Sequence, residues 1–543
     1  MKNWLKSLSF GALTAGVVAT LSACSNNSTS GASQSYKKSM SWMTTSEVQT
    51  LDPDKMVDTA SGEQANNVFE GLNRLNNKNQ VVPGVATTTT QSKDGLTWTF
   101  KLRKNAKWSN GDPVTAQDFV YSMRRKLDPK TKSQQQNHFD SIVNAPEVMK
   151  GTKKPSSLGV EAKDKYTLVV HLTHATPYFK TLTATGWNPE DEKVVKKYGD
   201  KYGTASKYMV YNGPFTSSGW TGTNLSWKLK KNNQYWDKNA VKLDTVNYSV
   251  QKTPSTDYNL YQANKLDGAY LDTQGSKQLK NQSGYHVFKL DRTEYLTYNV
   301  SKNKDLANVN LRRAFSMALN RKSLAQTVGA ANTVATTFSG PQETVGNTNF
   351  NNYAEKHLNN QYVTYNKAEA KKSFDKALKQ LGKSKVSFTL TGDDDDVSKK
   401  VTEFVQSALE DTFGKKVDVQ VRNMTKTTRV SNMLNGNYDV DYTGLSTDFN
   451  DPYAMLSVMM TGQSYNFGKW SNRQYDQYLN DSNKELNNTK RLDYFLKATQ
   501  VMNDEQPLTP LYHDGQAWMV RNSVHNLGFT SSSFNFRDTY VTR

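Results

Sequence analysis

"LTWTFKLRKNAKWSNGDPVTAQDFVYSMRRKL", residues 96–127, is the stretch that decides the fold class. "LTWTFKL" (96–102) alternates apolar and polar side chains, the pattern of a strand with one buried face. Asn110, Gly111, Asp112 and Pro113 then mark a turn. Thr115 is a helix N-cap, and Phe119, Met123 and Leu127 follow it on one helical face. The apolar period switches from strand to helix within one segment. Strands and helices are therefore interleaved, and the chain is mixed α/β.

The same alternation runs outward. "YTLVVHL" (166–172) and "DTVNYSV" (244–250) read as strands, and "LSWKLKKNNQYWD" (225–237) as strand and turn. "NLRRAFSMALNRKSLAQTV" (310–328) reads as one helix capped by Asn310, with Leu311, Ala314, Phe315, Ala318 and Leu319 on its apolar face. "KVSFTLTG" (385–392) is a strand. "DDDDVSKKVTEFVQSALEDTFG" (393–414) is an amphipathic helix stopped by Gly414, and "KKVDVQVRN" is the next strand. "NYDVDYT" (437–443) is another strand, and Asp448 stands just past its end in "GLSTDFNDPYAML" (444–456). On local grounds Asp448 caps the turn "NDP". The last third thus reads as strand–helix–strand units, and no internal repeat is visible.

The amino end carries Lys2 and Lys6, then an uncharged run at 8–23 that is too short to span a bilayer comfortably. It reads as a secretory leader over residues 1–23, closing on Leu21, Ser22, Ala23 and Cys24. This resembles a bacterial lipobox, whose cysteine takes a diacylglyceryl group because a thiolate is nucleophilic enough to form the thioether. The two acyl chains of such a lipid suffice to hold a protein stably at a membrane, where one would not. Cys24 is the only cysteine, which excludes intrachain disulfides and cysteine-based metal sites. Residues 24–35, rich in Ser and Asn, read as a flexible tether. The expected location is the outer face of the cell membrane, lipid-anchored as in Gram-positive cells. More than 500 residues exceed one core, so two or three lobes are expected.

The formal charge is +19, or +17 once Lys2 and Lys6 leave with the leader. Lysines are scattered and no nucleic-acid signature accompanies them, so the basic balance is assigned to an anionic envelope. The seven histidines lack metal-ligand spacing, and Asp393–Asp396 lack the alternation and glycine of a calcium loop. No catalytic serine, zinc, P-loop or dinucleotide motif appears. Neither an enzyme, nor a cofactor, nor a metal is expected.

Several segments together resemble the family-5 extracellular solute-binding proteins, the peptide receptors of ABC importers. They are "LDPDKM" (51–56), "NNVFEGL" (66–72), residues 98–125 of the opening stretch, "YNGPF" (211–215), "KNNQYWD" (231–237), "NLRRAFSMALNR" (310–321) and "DFNDP" (448–452). The resemblance implies a three-domain, periplasmic-binding-protein-like α/β fold (type II, cluster C), with two hinged lobes enclosing the ligand. Domain I would comprise 36–69, 188–290 and 512–543. Domain II would be 70–187 and domain III 291–511.

It further implies a monomer that binds extended oligopeptides and hands them to transmembrane permease subunits. Ligand main chain would pair with Gly444, Leu445 and Ser446 on one lobe and with Val57, Asp58 and Thr59 on the other. Asp448 would meet the ligand's α-ammonium. Tyr442, Phe449, Tyr512 and His513 are candidates to line the cleft. The chain departs from the family at Leu445, where relatives carry tryptophan, at Tyr442, where they carry a basic residue, and near Ser398, where they carry histidine. Those basic groups anchor short peptides, so a longer ligand suits this chain better. The resemblance leaves open a pheromone, an oligosaccharide stacked on Trp220, Trp227 or Trp236, nickel, haem or an opine. The charge alone leaves open an adhesin for polyanions.

Overall fold

The structure, a computed structural model, describes residues 36–543 except Val57, Gln134, Gln135, Asp448, Ser464 and Ser531. The leader, the tether and Cys24 lie outside the described residues, as do the candidate ligand residues Val57 and Asp448. In chain order the principal strands begin with β1 (Ser39–Thr44), β2 (Ala86–Gln91), β3 (Thr97–Leu102), β4 (Val160–Asp164) and β5 (Thr167–His171). Next come β6 (Phe215–Ser218), β7 (Ser226–Lys231), β8 (Thr245–Val250), β9 (Gly268–Leu271) and β10 (Tyr285–Tyr298). The last are β11 (Val386–Asp393), β12 (Val417–Met424), β13 (Val440–Ser446) and β14 (Leu508–Val520).

They form three sheets. One has the order β1-β8-β7-β6, with β1 parallel to β8. A second, antiparallel, has the order β2-β3-β5-β4. The third runs β9-β14-β10-β13-β11-β12, and Thr333–Val334 adds to β14. In this third sheet β13, β11 and β12 are mutually parallel and the other neighbours antiparallel.

The segment quoted at the outset folds as its pattern dictates. In β3, Trp98, Phe100 and Leu102 turn inward. Helices α1 (Thr59–Val68) and α2 (Ala116–Leu127) belong to this half of the chain. At the start of α2 the backbone N–H of Thr115 donates to Asp118 Oδ2 at 2.7 Å, closing a capping box. Arg124, Arg125 and Lys126 fill its last turn, where the helix dipole favours cations. Arg125 also reaches Asp52 at 2.6 Å, Glu190 at 2.8 Å and Asp54 at 3.2 Å, and buried Lys126 meets Asp54 at 3.1 Å. This cluster fastens the loop "LDPDKM" to α2.

The apolar core is divided. One cluster gathers buried residues from Met40 to Leu266 with Trp518 to Val541 and, among the described residues, takes Phe449 as its one buried member from the intervening chain. Two others, around Phe315 and around Phe495, draw entirely on residues between Tyr295 and Tyr512. β10 and β14 run from one region to the other side by side, and their register slips between Lys289 and Thr293. No helix among the described residues is long and apolar enough to cross a membrane.

Two sequence expectations are corrected. The helix expected over 310–328 is two, α3 (Val309–Ala318) and α4 (Arg321–Val328). Asn308, not Asn310, caps the first, and Asn320 caps the second after Leu319 turns extended. The helix expected from 393 is α5 (Asp396–Phe413), capped by Asp395, while Asp393 ends β11. Two later helices are α6 (Lys426–Leu434) and α7 (Asn488–Glu505).

Candidate functional site

The parallel strands β11, β12 and β13 end at Asp393, Met424 and Ser446, and α6 begins just beyond β12. Ligands of open α/β sheets collect outside such carboxyl ends. β13 pairs with β10 along its whole length, from Val440 opposite Tyr298 to Ser446 opposite Arg292. On its other side it pairs with β11 only at Val440 and Asp441. Among the described residues, no strand covers that side of residues 442–446. An uncovered edge offers main-chain donors and acceptors to an added strand.

A cavity of about 450 Å³ opens along this edge, bordered by Thr443, Gly444 and Leu445. Arg429 of α6 braces its floor, with Nε 2.6 Å from Asp393 Oδ1 and Nη1 2.7 Å from Asp441 Oδ1. Burial pushes the Asp441 carboxyl up to about 6, and the Arg429 guanidinium opposes that rise. On the neighbouring strand Arg292 Nε lies 2.5 Å from Glu294 and 3.3 Å from Asp514. Gly444 sits against this cluster. A Cβ there would lie 2.1 Å from Glu294 Oε1 and 2.3 Å from Arg292 Nη2, so only glycine fits without displacing the pair.

The expected strand 437–443 continues through Gly444 and Leu445 to Ser446, so these three residues lie on the uncovered edge. Ser446 and Thr59 border one further cavity of about 290 Å³. Asp58 and Thr59 do not extend as a pairing strand. Asp58 caps α1, its Oδ1 accepting from the Ser61 N–H at 2.8 Å, and Thr59 is already helical. Asp448 itself is outside the described residues, but the loop is held on both sides of it. The Thr447 N–H donates to the Asp291 carbonyl at 2.8 Å. Arg491 of α7 grips Asp451 with two bonds of 2.9 Å, and Asn450 donates to the Asn79 carbonyl.

The rings expected along the cleft sit in packed surroundings instead. The hydroxyls of Tyr442 and Tyr512, both buried, bond each other at 2.6 Å. His513 is buried, with Thr293 Oγ1 at 3.0 Å from Nδ1 and Asn351 at 3.3 Å from Nε2. Burial pushes it down to about 3, so it is neutral and supplies no cation to a ligand carboxylate. Phe449 stacks between chain regions, 4.7 Å from Tyr178, which also stacks on Tyr453. Ser398 is buried, and its hydroxyl donates to Asp395. Lys426, Leu434 and Tyr465, which border the 450 Å³ cavity, carried no sequence signal. Their meeting depends on α6 being laid against a loop some thirty positions later in the chain.

Residues 80–467 match the family model described as bacterial extracellular solute-binding proteins, family 5 Middle. The dipeptide-binding protein of Lactococcus lactis subsp. cremoris is 33% identical over 94% of this chain and 96% of its own. Listeria monocytogenes OppA bound to peptide aligns at a TM-score of 0.73 and 32% identity, over 94% of this chain and 100% of that one. MppA, a periplasmic murein tripeptide-binding protein in its unliganded open form, aligns at a TM-score of 0.80 and 26% identity, over 94% and 98% of the two chains. The higher score goes to the open form although its identity is lower. The chain belongs to the family-5 bacterial extracellular solute-binding proteins, α/β binding receptors of periplasmic-binding-protein-like fold rather than enzymes.

Proposed function

We propose that this protein captures extended oligopeptides outside the cell and delivers them to the permease of an ABC importer. The uncovered edge of β13 at residues 442–446 carries the reading. A peptide laid there gains main-chain hydrogen bonds that ignore side-chain identity. Gly444, Leu445 and Ser446 offer that backbone. Asp448 receives the ligand's α-ammonium, and the segment Val57–Thr59 closes over the ligand from the opposite lobe. The peptide names of the relatives support the same ligand class.

Domain I is assigned to 36–69, 188–290 and 512–543, domain II to 70–187 and domain III to 291–511. The separate apolar cores support this division, and so does the register slip in β10 between Lys289 and Thr293, where the two lobes would hinge. The receptor acts as a monomer tethered through lipidated Cys24. The oligosaccharide reading loses its stacking platforms, because Trp220 and Trp227 are buried and Trp236 lies under Arg103 at 3.6 Å. Native mass spectrometry of the purified protein tests the reading. Co-purifying or added peptides bound one per chain are expected. A protein that takes up no peptide but retains a sugar or haem would overturn it.

A further inference from the structure

Leu434 and Tyr465 are the most exposed large apolar side chains among the described residues, at 66% and 56%. Both border the same cavity, the one beside Thr443, Gly444 and Leu445. Met433 and Phe467 continue its wall below them and belong to one small apolar cluster. Tyr465 packs edge-on against Phe467 at 5.7 Å. Exposed apolar side chains are ordinary when scattered, but a group of them rimming a concave, part-buried site marks a contact surface. The cations of the cavity differ in state. Arg429 is consumed by Asp393 and Asp441, and Arg292 by Glu294 and Asp514. Lys426, exposed on the first turn of α6, has no ion pair among the described residues.

Resting on the proposed peptide reading, we propose that this cavity is a side-chain subsite that selects one bulky apolar residue of the ligand, followed by a carboxylate met by Lys426. A strand advances about 3.3 Å per residue. A peptide whose amino end lies at Asp448 and which runs back along β13 therefore brings its fourth to sixth residue opposite Thr443–Leu445. That residue's side chain covers Leu434 and Tyr465, which otherwise stay in water. The carboxylate is the chain terminus or an acidic side chain on the next residue.

The test scans leucine through positions four to six of hexa-alanine with a free amino end, measured by calorimetry. One position is expected to bind on the order of tenfold tighter than hexa-alanine. In Leu434→Ser, and in Leu434→Ser with Tyr465→Ser, the ratio of leucyl to all-alanine affinity falls to about one. Glutamate after the favoured leucine is expected to exceed glutamine about two- to fivefold, and so is a peptide ending there as free acid over its amide. Whichever arm responds identifies the carboxylate, and Lys426→Met removes the difference. Hexa-alanine binding with no gain at any position, or a gain that persists in both variants, overturns the subsite and leaves the peptide reading intact. Failure of every peptide to bind overturns both.

Discussion

At the scale of single residues, charge left in low-dielectric surroundings sets both ligand affinity and stability. In the proposed complex, Asp448 would pair with the ligand's α-ammonium, a charge-assisted contact worth about 1.5–3 kcal/mol. Removing it strands the ammonium, so Asp448→Asn is expected to lose about 3–5 kcal/mol of peptide affinity. N-acetylating the peptide should cost the same, and the two changes together should be clearly sub-additive by calorimetry. Strict additivity would return Asp448 to a turn-capping role. Glu63 poses the opposite case, a carboxyl buried without a cation. It accepts from the Tyr248 hydroxyl at 2.8 Å and the Phe534 N–H at 3.0 Å, and burial pushes it up to about 7. The proton is thus held more tightly folded than unfolded. Glu63 contributes stability that is present in full below its unfolded value of 4.5 and is lost as pH rises through 7. Glu63→Gln stays neutral throughout. Its stability relative to the parent should climb between those pH values, by on the order of 3 kcal/mol in urea titrations. A gap that is flat or falls with pH would refute the assignment.

At the scale of elements, the loop from β13 to Tyr453 is positioned by α7. Arg491 is almost fully buried, reaching Asp451 with two bonds and the Ser482 carbonyl with a third at 3.0 Å. Arg491→Met leaves the Asp451 carboxylate buried and unpaired, and should cost about 3–5 kcal/mol of stability. Adding Asp451→Leu should recover much of that, because the pair is replaced by apolar atoms. A single variant as stable as the parent would refute the buried-pair account. The strand β3, the turn and α2 were legible in the sequence because their patterns are local: alternation, turn residues and a capping box. Other features depend on remote partners. The strand expected over 437–443 stops before Gly444, yet β13 runs through it because β10 supplies a full ladder. Asp393 reads as a first-turn helix acid, yet Arg429 recruits it to the strand end. His513 reads as a candidate ligand group, and only the packing of Thr293 and Asn351 around it reveals a neutral core ring. The break between α3 and α4 was visible in Asn320, a cap residue inside the apolar pattern.

At the scale of the whole molecule, the apolar core is divided among separate clusters while β10 and β14 run paired between them, an arrangement that suits the proposed opening and closing about a ligand. Family membership was legible from motif order, whereas the uncovered edge of β13 was not, since it arises where β13 parts from β11 after Thr391 and Asp441. Tethering is a separate property. Cys24→Ser should release the protein to the medium or leave it unprocessed, and a processed, membrane-bound variant would contradict the lipobox reading. Under the proposed function a peptide adds to β13 as a strand. Amide hydrogen exchange across residues 442–446 tests it most directly. The alternate amides of this stretch that face away from β10 have no strand partner among the described residues. Saturation with a leucine-bearing alanine hexapeptide is expected to slow their exchange at least tenfold while β12 is unaffected. Calorimetric saturation by the same peptide, with exchange at 442–446 unchanged, would contradict the account.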